Sequence, residues 1–284
     1  MAGELDMDGT SEARIGDLLA DRPVLVTGAD GFVGSHLCEK LVEVGARVHV
    51  FVRAASSGTL HNVDHIANML TVHRGGLSDK EAVSGTIRRV AADGDEIMTF
   101  HLGAQAHVGE SWARPYETVS TNILGTLNLL QSIVDLNVKV LRLNVAGSSE
   151  EYGKVRPDSR EQYRFGEDQW VILDEQAPLN PQSIYATSKL FTDFITRNFW
   201  QAHGIPGIVT RMFNNYGPRQ SPRFITGTII TQALSRDVVR LGYVGARRDF
   251  CFVRDGVMGH LHACLLGTPG MDTGRACPYA SGTR

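Results

Sequence analysis

Tyr185 and Lys189 lie four residues apart in a stretch, 183–203, whose pattern predicts a long helix. This spacing places a phenol and an ammonium group on one face of that helix. A nearby ammonium favours the phenolate and so lowers the pKa of the phenol. Tyr185 is therefore predicted to act as a general base on a hydroxyl group, with Lys189 as its activator. Because surface helices often contain the same spacing, the prediction depends on the segments around it.

Ser148, Ser149 and Glu150 form a second group of polar side chains. They follow a predicted strand, 138–145, and so leave it at its carboxyl end. Ligands in open α/β sheets bind outside the carboxyl ends of the strands. The segment is therefore a candidate part of a binding site, and the alternative for Glu150 is an acid that simply faces solvent.

Gly28, Gly31 and Gly34 recur every third residue between a predicted strand and a predicted helix. In this setting the first glycine permits a tight turn, the second lets the backbone approach a pyrophosphate, and the third lets helix and strand pack closely. The helix N-terminus then offers free N–H groups to the anion. The pattern predicts a dinucleotide-binding loop, and an ordinary glycine-rich turn is the alternative.

The end of the second predicted strand bears on which dinucleotide binds. NAD sites usually have an acid there, which holds the ribose hydroxyls. Arg53 stands at that place, followed by small and hydroxyl residues. This favours the 2′-phosphate of NADP, and NAD is the alternative, with Arg53 as a solvated charge.

The elements that must position these groups alternate along the chain. Hydrophobic patterning predicts six strands, at 23–27, 47–53, 70–73, 95–103, 138–145 and 207–213, and helices that include 81–91, 119–134 and 183–203. Alternating strands and helices imply a doubly wound α/β fold around a parallel sheet, the Rossmann arrangement. The predicted organisation is a polar, loosely attached leader over 1–22 with a short helix at 11–20, a dinucleotide-binding domain over 23–213, and a small substrate-binding lobe over 214–284.

Composition excludes several classes of protein. The chain has 284 residues, 42% of them hydrophobic, which is enough for a sizeable core. A net charge of −3 gives no basic field for nucleic acid. We expect no membrane partner, because no signal peptide or long apolar segment is found. Four dispersed cysteines indicate reduced thiols and a cytoplasmic protein, and neither they nor His61 and His65 have the setting of a metal site.

Several segments occur in an order that resembles one known family. They are TGADGFVGSHL, HLGAQAHVGES, the helix start at Asn122, SSEEYG, YATSK and FNNYGPR. Together they resemble the extended short-chain dehydrogenases/reductases, in the nucleotide-sugar epimerase and dehydratase group, over residues 23–284. The order Ser-Ser-Glu at 148–150 is more similar to the GDP-mannose 4,6-dehydratase branch, which uses NADP, than to the dTDP-glucose branch.

The resemblance implies a role for each residue of the motifs. Ser148 would hydrogen-bond the substrate's 4-hydroxyl, Tyr185 would be the base, and Lys189 would activate it and hold the nicotinamide ribose. Glu150 would remove the C5 proton, and Ser149 or Glu150 would relay a proton to the leaving 6-hydroxyl. The implied reaction is dehydration of a nucleotide-activated hexose to a 4-keto-6-deoxy sugar, with hydride transfer from C4 to C6.

The resemblance also implies binding residues and an assembly. Besides Tyr185 and Lys189, the cofactor residues would be Gly28, Asp30, Gly31, Phe32, Val33, Gly34, Arg53, Leu77, Leu102 and Ala104. The substrate residues would be Ser111, Asn214, Arg219 and Arg248. Helices at 119–136 and 183–203 match those that pair relatives into a homodimer or a dimer of dimers.

Some positions depart from the family pattern and keep alternatives open. Gly76 replaces an acid that contacts the adenine, Ala54 replaces a second arginine of the NADP signature, and the chain ends before the helices that close the family's substrate lobe. The alternatives are a nucleotide-sugar 4-epimerase or 4-keto reductase, and a non-catalytic dinucleotide-binding protein. An acid at Glu150 favours dehydration, because epimerases of the group usually lack one there.

Overall fold

The computed structural model describes residues 9–53, 60–155, 157–167, 171–245, 248–270 and 272–273. Strands β1 to β11 are Pro23–Thr27, Arg47–Val52, Leu70–Arg74, Ile97–His101, Val140–Ala146, Arg164–Phe165, Val171–Ile172, Gly207–Thr210, Asn214–Tyr216, Phe250–Phe252 and Asp272–Thr273. Helices α1 to α9 are Gly9–Leu19, Phe32–Glu43, Lys80–Ala91, Val108–Ala113, Pro115–Thr118, Gly125–Asp135, Ile184–His203, Ile225–Ser235 and Val253–Leu266. Shorter helical turns are the 3-10 turns Asp64–Met69, Ser149–Glu151 and Pro157–Gln162, and the π-helical turn Val119–Leu124.

Seven parallel strands form the central sheet, in the order β11-β8-β5-β4-β1-β2-β3. The chain starts in the middle at β1, fills one side with β2 and β3, and then crosses to β4 and fills the other side. Such a reversal opens a crevice at the carboxyl ends of the strands, where open α/β sheets bind ligands. The predicted doubly wound fold is confirmed.

Helices cover both faces of this sheet, which is why its central strands are buried throughout and mostly apolar. Every residue of β1 and of β4 is buried. Along β1, Val24 and Val26 face the core formed with α2 and α9, whereas Leu25 faces the core formed with α3, α6 and α7. This alternation follows from the two-residue period of a strand, and it explains why the strands read as continuous hydrophobic runs.

The sixth predicted strand is shorter than its apolar sequence indicates. Strand β8 ends at Thr210, and Arg211 and Met212 leave the sheet. The Met212 carbonyl accepts a hydrogen bond from the Ser149 N–H, and the Arg211 side chain enters a buried ionic network. The strand therefore ends where its backbone and side chains find partners beside the Ser148 segment.

The N-terminal segment contains the expected short helix, but its loose attachment was wrong for the part that the structure describes. Ile15 and Leu19 of α1 are 3% and 0% exposed and belong to the core that contains β1, α2 and α9. Burial of two large aliphatic side chains is worth a few kcal/mol. Residues 9–19 are therefore part of the folded domain.

The C-terminal part begins with the parallel pair β9–β10, followed by α9. Val257 and Leu261 of α9 are buried in the same core as β1 and α2. The helix therefore packs with the central sheet and α2, although it follows the predicted boundary at residue 213. Of the helices in the described part of the chain, none is both long and apolar enough to cross a membrane.

Two buried histidines are held neutral beneath the sheet's carboxyl edge. His101 bonds to Thr27 and Thr126, and His260 bonds to Thr210 and Asn144. Burial, with a smaller contribution from the nearby lysine charge, lowers the pKa of His101 to about 3 and that of His260 to about 4. Both rings are therefore neutral in the folded protein, each with a single ring N–H.

We expect these rings to make the fold sensitive to acid. In the unfolded chain each titrates near 6.5, so below that pH the unfolded state binds more protons and stability falls. The loss should build up from about pH 6.5 down to about pH 4 and reach on the order of 3 kcal/mol for each ring. Urea unfolding at several pH values in this range measures the free energy of unfolding. For His260→Gln this free energy should fall less steeply with decreasing pH than for the wild type. The exposed control His61→Gln should match the wild type, and an unchanged pH dependence in His260→Gln would refute the assignment.

Candidate active site

The glycine loop after β1 has the geometry that its spacing predicts. Gly28 adopts a φ of +70°, and a Cβ on it would lie 2.7 Å from the Gly103 nitrogen. A Cβ on Gly34 would lie 2.2 Å from the Gly28 carbonyl oxygen. Only glycine fits at these two positions, because the loop, the start of α2 and the end of β4 touch backbone to backbone.

The N-terminus of α2 is open to an anion. The helix begins at Phe32 behind Gly31, with no side-chain cap and no acid in its first turn. The backbone N–H groups of Phe32, Val33 and Gly34 therefore offer donors and a positive helix end. This donor set fits the pyrophosphate of a dinucleotide.

Asp30, predicted as a cofactor residue, has local partners instead. Its carboxylate accepts hydrogen bonds from the backbone N–H groups of His61 at 3.0 Å and Asn62 at 2.7 Å, and Asn62 Nδ2 donates to the Asp30 carbonyl. Asp30 thus anchors the segment that enters the Asp64–Met69 turn. It shapes the wall of the crevice rather than presenting a free carboxylate.

A chain of buried polar groups supports the floor of the crevice. Thr126 Oγ1 donates to a carbonyl of its own helix, so it accepts from His101 Nε2, and His101 Nδ1 then accepts from Thr27 Oγ1. Thr27 Oγ1 also accepts from the Gly103 N–H at 3.0 Å. These bonds fix the turn that carries the predicted cofactor residues Leu102 and Ala104.

The other predicted cofactor residues lie along the same edge of the sheet. A Cβ on Gly103 would lie 2.8 Å from Leu77 Cδ1, and the Leu77 carbonyl accepts from Asn128 Nδ2. Arg53 is exposed directly after β2, the neighbour of β1. Residues 54–59, including Ala54, lie outside the described part of the chain, so the structure places Arg53 but not the residues that follow it.

Ser148 begins a 3-10 turn at the carboxyl end of β5. Its Oγ accepts from the Glu150 N–H at 3.2 Å, and Glu151 Oε1 accepts from the Ser148 N–H at 2.7 Å, which together form a capping box. Ser148 is buried, whereas Ser149 and Glu150 are half-buried. The turn therefore places Ser148 and Glu150 together at the carboxyl end of β5.

Helix α7 brings Tyr185 and Lys189 to this turn. Ser183 caps the helix by accepting from the Ala186 N–H, and both reactive side chains are buried. Lys189 Nζ donates to the carbonyl of Ala146, the last residue of β5, at 2.6 Å. The structure thus unites Ser148, Glu150, Tyr185 and Lys189, as the sequence predicted.

The predicted lowering of the Tyr185 pKa was wrong for this state of the protein. Burial raises the pKa of Tyr185 to about 12; a hydrogen bond to Ser148 opposes the rise, while the charges of Glu151 and Glu150 add to it. Lys189 does not offset this, because its ammonium is turned to the Ala146 carbonyl. Burial also lowers the pKa of Lys189 to about 8, against the charge of Glu151.

A buried ionic network behind the site was missed. Arg211, 1% exposed, bonds to Asp193 of α7 at 2.6 and 3.0 Å, to Glu151 at 3.3 Å and to the Tyr152 hydroxyl at 3.3 Å. The only signal in the sequence is a charge that directly continues the apolar strand 207–210. A buried charge needs a partner, but the sequence does not say which carboxylate supplies it.

Asn122 is a second support whose function the motif alone did not reveal. It lies in the π-helical turn before α6, and such turns are frequent at functional sites. Its amide accepts from the Gln105 N–H and donates to the Gln105 carbonyl and to Ser188 Oγ of α7. Asn122 therefore fastens the loop after β4 to the helix that carries Tyr185.

The predicted substrate residues lie on several different elements. Ser111 is buried in α4 and donates to the Val108 carbonyl, Asn214 starts β9, and Arg248 is exposed before β10.

Arg219 has partners on α2 rather than a free guanidinium group. It donates to Ser35 Oγ at 3.1 Å and to the carboxylate of Glu39, which also bonds to His65. Its backbone has a φ of +69°, an uncommon conformation for a residue other than glycine. Arg219, the predicted diphosphate ligand, therefore links the loop after β9 to α2.

A doubly wound sheet, a glycine loop at its switch point and a Ser148–Tyr185–Lys189 set define an extended short-chain dehydrogenase/reductase. Residues 25–267 match the family described as GDP-mannose 4,6 dehydratase. The chain belongs to this family.

Individual relatives agree with that assignment. The GDP-mannose 4,6-dehydratase of Vibrio cholerae serotype O1 is 31% identical over 247 residues, which are 82% of this chain and 61% of the relative. A dTDP-glucose 4,6-dehydratase of Streptomyces venezuelae, solved with NAD bound, has a TM-score of 0.73 and 29% identity, covering 88% of this chain and 74% of that one. A UDP-glucose 4-epimerase of Thermotoga maritima has a TM-score of 0.70 and 29% identity, covering 84% and 72%. The chain spans only 42% to 62% of the length of the first curated relatives that it matches.

Proposed function

We propose that this chain catalyses the NADP-dependent 4,6-dehydration of a nucleotide-activated hexose, with GDP-mannose as the substrate. The observation that carries the proposal is the position of Glu150. It lies two residues after Ser148 in the same 3-10 turn, and its charge acts on the buried phenol of Tyr185. An acid beside the Ser–Tyr pair is what removal of a C5 proton requires, whereas C4 oxidation alone needs none.

The residues of the site divide the proton transfers. Tyr185 takes the proton of the 4-hydroxyl, with Ser148 as the hydrogen-bond partner of that oxygen. Glu150 removes the C5 proton, which the new 4-ketone has made acidic. Of these two protons, one leaves with the 6-hydroxyl as water, relayed by Ser149 or Glu150, and one returns to C5. The reaction has no net redox change.

The residues around the glycine loop fit a bound dinucleotide. The open N-terminus of α2 and the cradle at Gly28 and Gly34 would hold the pyrophosphate, and Lys189 would hold the nicotinamide ribose. When bound, the oxidised nicotinamide would accept the hydride from C4, return it to C6 and place a positive charge near the phenol. That charge favours a phenolate, so Tyr185 would become a base in the loaded enzyme.

A panel of sugar nucleotides tests the proposed function. Purified protein with NADP⁺ is incubated separately with GDP-mannose and with dTDP-, UDP- and CDP-hexoses, and products are examined by mass spectrometry. We expect GDP-mannose to yield a product lighter by one water. Water loss from another nucleotide only would reassign the substrate, and no water loss from any would refute the dehydratase.

Arg53 gives a separate prediction about the cofactor. Arg53 is exposed directly after β2, and arginine binds phosphate through charge-assisted hydrogen bonds, which supports a contact with the 2′-phosphate of NADP. Arg53→Ala should weaken NADP⁺ binding about tenfold or more, a loss of one hydrogen bond to a charged group, and leave NAD⁺ binding nearly unchanged. Titration calorimetry with both dinucleotides measures this, with exposed Arg74→Ala as the control. Equal losses for both would show that Arg53 does not read the 2′-phosphate.

A second candidate is a nucleotide-sugar 4-epimerase or 4-keto reductase, favoured by the similarity to a UDP-glucose 4-epimerase. Such an enzyme shares the Ser148, Tyr185 and Lys189 chemistry but does not need Glu150. A new sugar isomer of unchanged mass, detected by NMR, would identify it.

A homodimer or a dimer of dimers in the cytoplasm completes the proposal. Large apolar side chains are exposed on the helices beside the site: Trp112 at 62%, Tyr116 at 90% and Phe194 at 47%. Exposed aromatic groups of this size are typical of protein interfaces. Cys38, Cys251 and Cys264 are free thiols, which suits a reducing compartment.

A further inference from the structure

Glu151 is a fully buried carboxyl group for which the reaction described above has no use. Its side chain is 0% exposed, although it lies one residue after Glu150 in the same 3-10 turn. An ionisable side chain is almost never buried without partners. Its contacts therefore indicate what it does.

The first contact is with the backbone of Ser148. Glu151 Oε1 accepts from the Ser148 N–H at 2.7 Å, and the Ser148 side chain accepts from the turn in return. A charge-assisted bond of this kind to a backbone N–H is short and strong. It fixes the backbone of Ser148, and the Ser148 hydroxyl in turn bonds the phenol of Tyr185.

The second contact joins this turn to α7. Glu151 Oε2 accepts from Arg211 Nε, and Arg211 also bonds Asp193, one helical turn after Lys189. Asp193 is further bonded to Arg197 on the same helix. The network therefore connects the turn that carries Ser148 with the helix that carries Tyr185 and Lys189.

The charges around Glu151 come from three elements. Asp193 and Lys189 face it from α7, Arg211 faces it from the segment after β8, and Glu150 and Tyr152 flank it in the turn. Burial and the charge of Asp193 raise the pKa of Glu151, whereas the charges of Arg211 and Lys189 lower it. The Glu151 charge in turn raises the pKa of Lys189.

We propose that Glu151 is a positioning residue, which fixes the backbone of Ser148 and, through Arg211 and Asp193, ties this turn to the helix that carries Tyr185 and Lys189. This rests on the proposed function, because the groups that it positions are those assigned to the reacting hydroxyl and the cofactor ribose. An apolar residue here would leave the Ser148 N–H and one side of Arg211 without a partner.

The test compares Glu151→Gln and Glu151→Asp with the wild type. Glutamine removes the charge, so kcat should fall about 100-fold, as for a misplacement of about 1 Å, with KM changed far less. The alkaline limb of the kcat–pH profile should move down by about one pH unit, because Lys189 loses a charge that favours its ammonium. Aspartate keeps the charge but is shorter, so it should restore the limb while kcat stays low.

A control variant and a binding measurement complete the test. Asp93→Asn removes a carboxylate bonded to Arg47 and His49, far from the site, and should change neither kcat nor the limb. A wild-type kcat in Glu151→Gln, or the same effects in Asp93→Asn, would overturn the proposal. If the wild-type protein turns over no sugar nucleotide, the proposed function fails by itself. The pH dependence of NADP⁺ binding then decides on Glu151: a shift in Glu151→Gln supports the proposal, and no shift overturns it.

Discussion

Glu150→Gln is expected to abolish water loss while C4 oxidation continues. Glutamine keeps the size and polarity of the side chain but cannot accept the C5 proton, and a general base contributes about 10²- to 10⁴-fold to rate. Glu150 is half-buried, and its backbone N–H already bonds Ser148, so the turn should remain intact. Dehydrated product should fall by about that factor, while reduced nicotinamide accumulates during a single turnover.

Mass spectrometry of the product measures water loss, and the absorbance of reduced nicotinamide measures C4 oxidation separately. Glu161→Gln, an exposed acid in the following turn, is the matched control and should match the wild type. Full dehydration by Glu150→Gln would place the C5 base elsewhere. Loss of both halves together would show that Glu150 supports the whole site rather than one proton transfer.

Tyr185→Phe is expected to remove turnover at its first step. The substitution deletes one oxygen from a buried side chain, and the acceptor for the 4-hydroxyl proton is lost with it. We expect kcat to fall about 10³-fold, within the range for a general base, while dinucleotide affinity stays within a few-fold. Rapid-mixing measurement of nicotinamide reduction should show no burst.

The surface variant Tyr243→Phe controls for the loss of a phenol, because Tyr243 is 86% exposed. The thermal stability of Tyr185→Phe should change little, because phenylalanine keeps the buried ring and Ser148 Oγ still accepts from the Glu150 N–H. A burst of reduced nicotinamide equal to that of the wild type would show that another group takes the proton.

Sequence reasoning succeeded where function depends on local spacing. Gly28, Gly31 and Gly34 are constrained by one tight turn, and the i,i+4 pair Tyr185 and Lys189 by one helix. In both cases the residues that matter are neighbours along the chain. The alternation of strands and helices then determines that both segments open at the carboxyl edge of the sheet.

Prediction failed where a side chain finds its partner far along the chain. Lys189 bonds the carbonyl of Ala146 and Arg219 bonds Glu39, across 43 and 180 residues. Sequence spacing carries no information about such pairs, so the ammonium was expected to act on Tyr185. The high pKa of the phenol follows from burial, which depends on the packing of the whole site.

The buried side chains that hold the site in place could not be predicted either. Glu151 and Arg211 are 60 residues apart, and nothing in the Ser-Ser-Glu-Glu run distinguishes an acid that faces the crevice from one that is buried behind it. Helix α1 shows the converse case, because two apolar residues in a polar segment were enough to dock it.

In the proposed reaction, one molecule of substrate loses water while its own hydride moves from C4 to C6. GDP-mannose deuterated at C4, incubated with the protein and NADP⁺, tests this in a single NMR and mass measurement. We predict a product that is lighter by one water and carries the deuterium at C6. Deuterium that remains at C4 in a sugar of unchanged mass, or a sugar that is not converted at all, would contradict the account.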